Sequence, residues 1–488
     1  MLEKLISMFF PLPTSTSENP SQKKNQPPNS AFVYSPQLQQ YFFGRLLLSE
    51  EIPFHDLDDH VKNGYISYTA GVTTVEGRYH CARCGNKNPN MFYRFPCSRC
   101  GKPCAYCRAC IMMGRVSECT KLYYWCGPEF IFEIPANVLA WEGTLSEGQR
   151  VASERVTSAV QNNEELLVWA VCGAGKTEVL FKGIEAALLS GKRVCIATPR
   201  TDVVLELVPR LKKAFPHIEV AALYGGSEDR HHVAPLTVST THQLFRFQKA
   251  FDTIIIDEVD AFPYSMDTSL QFAVKKAKKE TSATILLTAT PSKKMQIAYA
   301  SRKLQAVTIP ARFHRHPIPL PSMYWCGNWK RQFENKTIPV VIAEWVKERL
   351  QSKTPILLFF PSIKVMEQAL PLFQLLDSGL LAVHSQDSDR KEKVTALREG
   401  RVPGLLTTTI LERGVTIPML DVAVIGSEHT VFNESALVQI AGRVGRSVKH
   451  PSGSVTFFHY GKSNDMVQAI KHIQAMNEEA RKRGLLDV

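Results

Sequence analysis

The chain has 488 residues, of which 44% are hydrophobic and 21% charged, a balance that excludes a wholly disordered protein. At roughly 150 residues per domain this length calls for about three folded units. The 58 Lys and Arg exceed the 46 Asp and Glu, and the resulting +12 favours a polyanionic partner, nucleic acid or an anionic membrane surface, without choosing between them.

The N-terminal stretch MLEKLISMFFPLP has a short apolar run broken by Pro11 and Pro13, with no small-residue cleavage site after it, which argues against an export signal. No stretch approaches the ~18 apolar residues of a membrane span. A cytoplasmic protein is expected, with any membrane contact peripheral. Residues 1–30, rich in Pro, Ser and Asn, are expected to be a flexible extension. Residues 31–135 form the next unit, in which YFFGRLLL and YISYTAGVTTV predict small helices and strands leading into a cysteine cluster.

Nine of the 12 cysteines lie between Cys81 and Cys126. Three Cys-x-x-Cys turns (Cys81/Cys84, Cys97/Cys100, Cys107/Cys110), with Cys104, Cys119 and Cys126 beside them, read as a zinc module, because such a turn aims two thiolates at one ion and Zn²⁺ takes four in a tetrahedron. Spacing leaves two pairings open. A simple ribbon would use Cys81, Cys84, Cys97 and Cys100. A wider loop would use Cys81, Cys84, Cys107 and Cys110, leaving Cys97, Cys100 and two of Cys104, Cys119 and Cys126 for a second ion. Interleaved Arg83, Arg94, Arg99, Lys102, Arg108 and Arg115 with Phe92, Tyr93, Phe95 and Tyr106 could meet phosphates and bases, or could be solvated charge around a small aromatic core.

Beyond the cysteines, apolar strands and helical stretches alternate in the pattern of a parallel sheet with crossover helices, first over residues 136–305 and again over 306–488. An α/β architecture of two tandem lobes is expected, joined by a proline-punctuated linker near residues 306–325. In the first series Ala170, Val171, Cys172, Gly173, Ala174, Gly175, Lys176 and Thr177 follow an apolar strand and open a helix, the setting of a phosphate-binding loop. Backbone N–H groups would wrap the phosphates, Lys176 would neutralise them, and Thr177 would hold Mg²⁺. Some eighty residues on, the strand FDTIII ends in Asp257-Glu258-Val259-Asp260. An acidic pair at a strand end is commonly a loop or cap; after a phosphate loop it reads as Asp257 on Mg²⁺ and Glu258 on the attacking water.

The ordered motifs resemble the superfamily 2 helicase ATPases over residues 141–450. The resemblance implies RecA-like lobes, ATP as the nucleotide, Gln149 as an adenine reader, and Thr198, Pro199, Arg200, Thr240 and Thr241 as contacts to a nucleic-acid strand. It also implies that Thr288-Ala289-Thr290 couples hydrolysis to lobe movement. In the second lobe, QIAGRVGR supplies Gln439 to the nucleotide and Arg443 and Arg446 as arginine fingers, while Gly414 and Thr416, with Glu412 beside them, link nucleotide to strand.

Two further stretches, YCRACIMMGRVSE and ARFHRHPIPLP, resemble the ComFA late-competence ATPases, whose zinc module is held by the outer Cys-x-x-Cys pairs. That resemblance favours the wider pairing. It implies a single-stranded DNA translocase serving DNA import, with the membrane channel ComEC, the companion ComFC and, more remotely, the strand-loading DprA as partners. Two other functions are weighed. A primosomal replication-restart helicase carries its zinc cysteines within the second lobe, whereas here they precede the first. A non-hydrolysing, zinc-organised DNA-binding adaptor would have no need to keep Lys176, Asp257, Glu258 and Arg446 together.

Overall fold

In the computed structural model, which describes residues 27–412 and 417–487, the cysteine region is built from short antiparallel strands and the rest from two parallel sheets. The extension expected over 1–30 falls almost wholly outside the described residues, as do Gly414 and Thr416.

The N-terminal region opens with the helix Pro36–Phe42, whose Ser35 cap accepts from the Leu38 N–H and whose first position is the proline that needs no helical partner. Strands β1 (Leu47–Leu48), β2 (Ile66–Ala70) and, later in the chain, β8 (Lys121–Trp125) form one sheet in the order β1-β8-β2. Between them lie the hairpin of β3 (Val72–Val75) with β4 (Arg78–Cys81) and the sheet β5 (Phe92–Pro96), β6 (Pro103–Cys107) and β7 (Val116–Ser117). The expected patches thus become a helix and strands, with the cysteines in the strands of the last two sheets and in the turns beside them.

The first parallel sheet has the order β11-β12-β10-β13-β14-β9-β15, with β9 (Glu165–Ala170), β10 (Val194–Thr198), β11 (Val220–Leu223), β12 (Leu236–Thr240), β13 (Phe251–Ile256), β14 (Lys278–Thr288) and β15 (Gln305–Ile309). Its central strands are continuous apolar runs because helices cover both faces. The second sheet, β16-β21-β20-β17-β19-β18, comprises β16 (Ser322–Trp325), β17 (Ile356–Phe359), β18 (Leu381–Val383), β19 (Gly404–Thr407), β20 (Asp421–Ile425) and β21 (Val455–His459). The two tandem RecA-like lobes are therefore present.

One boundary needs correction. The second lobe was expected from residue 306, yet β15 pairs with β9 from Gln305↔Leu166 to Ile309↔Ala170 and so completes the first sheet. The crossover into the second lobe starts only at Pro310.

Candidate nucleotide site and cysteine centre

Three adjacent strands, β13, β14 and β9, deliver their C-terminal ends to one crevice, the place where open parallel sheets bind ligands. From β9 comes the loop 171–175, which ends at Gly175 in the left-handed conformation (φ +69°) and caps the helix Lys176–Leu189. From β13 come Asp257 and Glu258, and from β14 come Thr288 and Thr290.

The crevice holds about 1090 Å³ and is lined by Lys176, Thr177, Asp257 and Glu258 from the first lobe and by Gln439, Arg443 and Arg446 from the second. Cys172, Gly173, Ala174, Gly175 and Gln149 also line it, whereas Ala170 and Val171 are buried behind it. Sequence reasoning missed the rest of the wall: Trp141, Leu145 and Phe313 offer apolar surface to a base, and Arg210 is paired with Glu178 at 2.5 Å. The cradle fits a nucleoside triphosphate, with a helix N-terminus, a lysine and a hydroxyl–carboxylate pair converging on one pocket.

Gln149 stands below the loop rather than free in the pocket. Its Oε1 accepts from the Ser146 N–H at 2.8 Å, completing a capping box on the helix Glu147–Asn162, and its Nε2 donates to the carbonyls of Ala174 (2.9 Å) and Gly175 (3.3 Å). The residue therefore fixes the phosphate loop to the helix that bears it.

The lobes touch at this site. Cys172 Sγ donates to Gln439 Oε1 at 3.2 Å, and the helix Glu434–Ala441 brings Ser435 Oγ to 2.8 Å from Thr290 Oγ1 and 3.0 Å from Asp260 Oδ2. Asp260 also accepts from Thr288 (2.5 Å) and Thr290 (2.8 Å), so three motifs share one carboxylate. The two arginines differ. Arg443 is buried and its guanidinium donates twice to the Glu412 carbonyl, at 2.7 and 2.5 Å. Burial first, and Arg446 next, push it well below the usual arginine range. Arg446 is half-buried, and its Nε donates to the Gly442 carbonyl at 3.1 Å.

A residue of the ARFHRHPIPLP stretch, to which sequence reasoning gave no role, ties these parts together. Arg312, 1% exposed, leaves β15 and donates to the carbonyls of Val444 and Gly445, each at 2.7 Å, and of Gly442 at 3.4 Å, with His314 against Gly445 O at 3.0 Å. Burial lowers Arg312 to about 10.

The expected strand contacts separate. Thr198, Thr240 and Thr241 are buried. Arg200 instead lines a second inter-lobe cleft of about 510 Å³ with Thr201, Asp202, Arg390, Thr408 and Glu412.

In the cysteine region, Cys81, Cys84, Cys107 and Cys110 form one buried group with all four sulfurs within 4.8 Å of one another. The Cys81–Cys110 and Cys84–Cys107 separations are 3.9 and 3.6 Å. A Zn–S bond of ~2.3 Å gives a tetrahedral edge of about 3.8 Å, so the group fits zinc as found. The simple ribbon pairing is overturned: Cys97 and Cys100 lie outside this group. Arg83, expected to face phosphate, is buried on Glu51 at 2.8 and 3.0 Å. Lys276 donates to the Arg83 carbonyl at 2.7 Å, and burial pushes it down to about 7 against the pull of Cys81, Cys84 and Cys110. The other five basic residues named above are exposed, as is Tyr93.

Comparison with known proteins finds three family matches. Residues 23–124 match the model of the competence protein ComFA N-terminal domain, residues 142–293 that of the type III restriction enzyme res subunit, and residues 339–448 that of the helicase conserved C-terminal domain. The chain is 48% identical to competence protein ComFA of Bacillus subtilis, over 94% of this chain and 99% of that one. To competence protein ComFA of Streptococcus pneumoniae it is 38% identical, over 83% and 92%. Replication restart protein PriA of Rickettsia felis is 25% identical over 44% of this chain and 35% of its own. Among the described residues no helix is long and apolar enough to cross a membrane.

Proposed function

We propose that this chain, which belongs to the ComFA family of competence proteins and carries the two helicase-type domains of an ATP-hydrolysing enzyme, is a translocase on single-stranded DNA that powers DNA import. The observation that carries the reading is the single crevice shared by Lys176, Asp257 and Glu258 of one lobe and Gln439 and Arg446 of the other. An adaptor without turnover has no use for it. The weaker, half-chain similarity to PriA gives the restart reading less support.

In this reading Lys176 and the loop N–H groups hold the phosphates of ATP, and Trp141, Leu145 and Phe313 hold its base. Thr177 and Asp257 would hold Mg²⁺, which supplies charge neutralisation on the phosphates. Glu258 orients the attacking water and takes its proton. Arg446 reaches the γ-phosphate from across the cleft, while Arg443 holds the Glu412 segment in place. The strand would run through the second cleft, where Arg200 and Arg390 meet phosphate and the carboxylates of Asp202 and Glu412 limit the affinity. Each closure on ATP shifts one lobe along the strand, and hydrolysis reopens them. Cys81, Cys84, Cys107 and Cys110 would hold zinc, which would tie together the turns of the N-terminal module that pack on the first lobe. Partners implied by the family are ComEC, ComFC and DprA, met peripherally at the inner face of the membrane.

The test is the ATPase rate with single-stranded DNA, duplex DNA or RNA. Turnover should be slow alone, rise most with single-stranded DNA, and vanish in Lys176→Ala. Absence of stimulation by any nucleic acid sinks the translocase.

A further inference from the structure

Cys97 and Cys100, left outside the inner cluster, do not point into solvent separately. Cys97 follows β5, Cys100 lies in the turn after it, Cys104 is in β6 and Cys119 follows β7, and the four sulfurs lie within 4.8 Å of one another. Cys97 and Cys119 are 3.7 Å apart, close to the tetrahedral edge of a zinc thiolate. Cys126 belongs to neither group.

The second observation is a repeated backbone. Cys81-Ala-Arg-Cys84-Gly85 and Cys97-Ser-Arg-Cys100-Gly101 make the same tight turn. In the first, the Gly85 N–H donates to Cys81 O (2.9 Å) and the Cys81 N–H to Asn86 O (3.0 Å). In the second, Gly101 N–H donates to Cys97 O (2.8 Å) and Cys97 N–H to Lys102 O (3.2 Å). Both glycines sit in the left-handed region, at +71° and +68°. Even the third position repeats: Arg83 pairs with Glu51 at 2.8 Å, and Arg99 pairs with the adjacent Glu50 at 2.6 Å. A turn that presents two sulfurs to an ion in one copy is preorganised to do so in the other. The remaining two sulfurs are held on site by the strands, since the Ala105 N–H donates to the Glu118 carboxylate (2.6 Å) and the Glu118 N–H to Ala105 O (2.9 Å).

We propose that Cys97, Cys100, Cys104 and Cys119 are a second tetrathiolate zinc site, separate from the inner one, that holds the three strands β5, β6 and β7 together at the outer edge of the module. This extends the zinc reading of the inner cluster and is independent of the ATPase reading. The two sites differ in setting. The inner sulfurs are all buried against the first lobe, whereas Cys100 and Cys119 are half-exposed, so the outer ion exchanges first. The outer site also sets the pitch of the hairpin that carries Tyr93, Arg94 and Phe95, over whose ring Arg115, just before β7, lies at 4.9 Å.

Metal analysis of the full chain, purified under reducing conditions without chelator, should find two zinc ions per chain. Cys100→Ser/Cys119→Ser should keep one, and so should Cys84→Ser/Cys107→Ser. One ion in the wild type, kept by the first variant and lost by the second, overturns the outer site and leaves the inner reading standing. The converse pattern overturns the inner reading alone, and a first variant that keeps two ions also overturns the proposal. Should either variant fail to fold, thiol alkylation of the wild type decides. Cys100 and Cys119 should resist N-ethylmaleimide until chelator is added, and prompt modification of both without chelator overturns the site.

Discussion

Arg312 shows how one side chain can carry a site that its own motif does not contain. Its stem lies beside Gly173 of the phosphate loop, and its guanidinium fills three carbonyl acceptors of residues 442–445, the turn that presents Arg446. These are charge-assisted bonds in a buried place, worth about 1.5–3 kcal/mol each when a partner is removed. The geometry fixes the arginine-bearing turn relative to the phosphates, which is a positioning role, since Arg312 is not among the residues that line the crevice. Arg312→Met keeps the volume and removes the donors. We expect kcat with single-stranded DNA to fall about 10- to 100-fold, as a misplaced catalytic group does, with KM for ATP nearly unchanged and partial rescue by Arg312→Lys. A fall in thermal stability alone, with kcat intact at low temperature, would make the residue a structural brace only.

At the scale of elements, the contact between the cysteine module and the first lobe is an ionic one set in an apolar interface. Glu51, 5% exposed, receives Arg83 of the module at 2.8 Å and Arg246 of the lobe at 2.6 Å, while its own backbone turn supplies the Leu48 N–H at 2.9 Å. Burial alone would raise this carboxyl; Arg83 and Arg246 outweigh it and hold it below the usual range. Around it the inner cysteines pack with Leu244, Phe245 and Leu270 of the lobe. Removing the charge leaves two buried guanidinium groups short of a partner, so Glu51→Gln should cost about 3–5 kcal/mol in chemical denaturation. Protease sensitivity should rise first in the module; a loss under 1 kcal/mol would show that the apolar packing suffices. None of this was legible locally, because SEE reads as surface and its partners are 32 and 195 residues away. What was legible had a local cause: apolar strands, the phosphate loop, the acidic pair and the Cys-x-x-Cys turns each declare themselves within a few residues. The missed strand β15 had no such cause, since its only sheet neighbour, β9, lies some 140 residues earlier and the short run QAVTI sits among linker-like residues.

For the molecule as a whole, the question is how chemistry in the crevice becomes movement of a lobe. Both lobes have parallel sheets, and the resemblance carried by the ordered motifs implied which of them would meet at the gap. It could not show the hinge of the meeting, Asp260, because its three hydroxyl partners come from two lobes. Thr288 and Thr290 belong to the first and Ser435 to the second, at 3.0 Å. Asp260 stands two residues after Glu258, so a shift of the Asp257-Glu258 pair as nucleotide is bound or hydrolysed moves the carboxylate that Ser435 reads. Ser435→Ala removes the hydroxyl that donates to Asp260 and lies against Thr290, a hydrogen bond of about 0.5–1.5 kcal/mol across the lobe boundary, and nothing from the phosphate cradle. The closed arrangement, in which both lobes grip the strand, should therefore become less favoured. Affinity for single-stranded DNA in the presence of a non-hydrolysable ATP analogue should drop about 3- to 10-fold, with affinity in the absence of nucleotide unchanged. Fluorescence anisotropy of a labelled oligonucleotide measures both. An equal loss in both conditions would place Ser435 in strand binding itself, and no loss in either would mean that the lobes close without this contact.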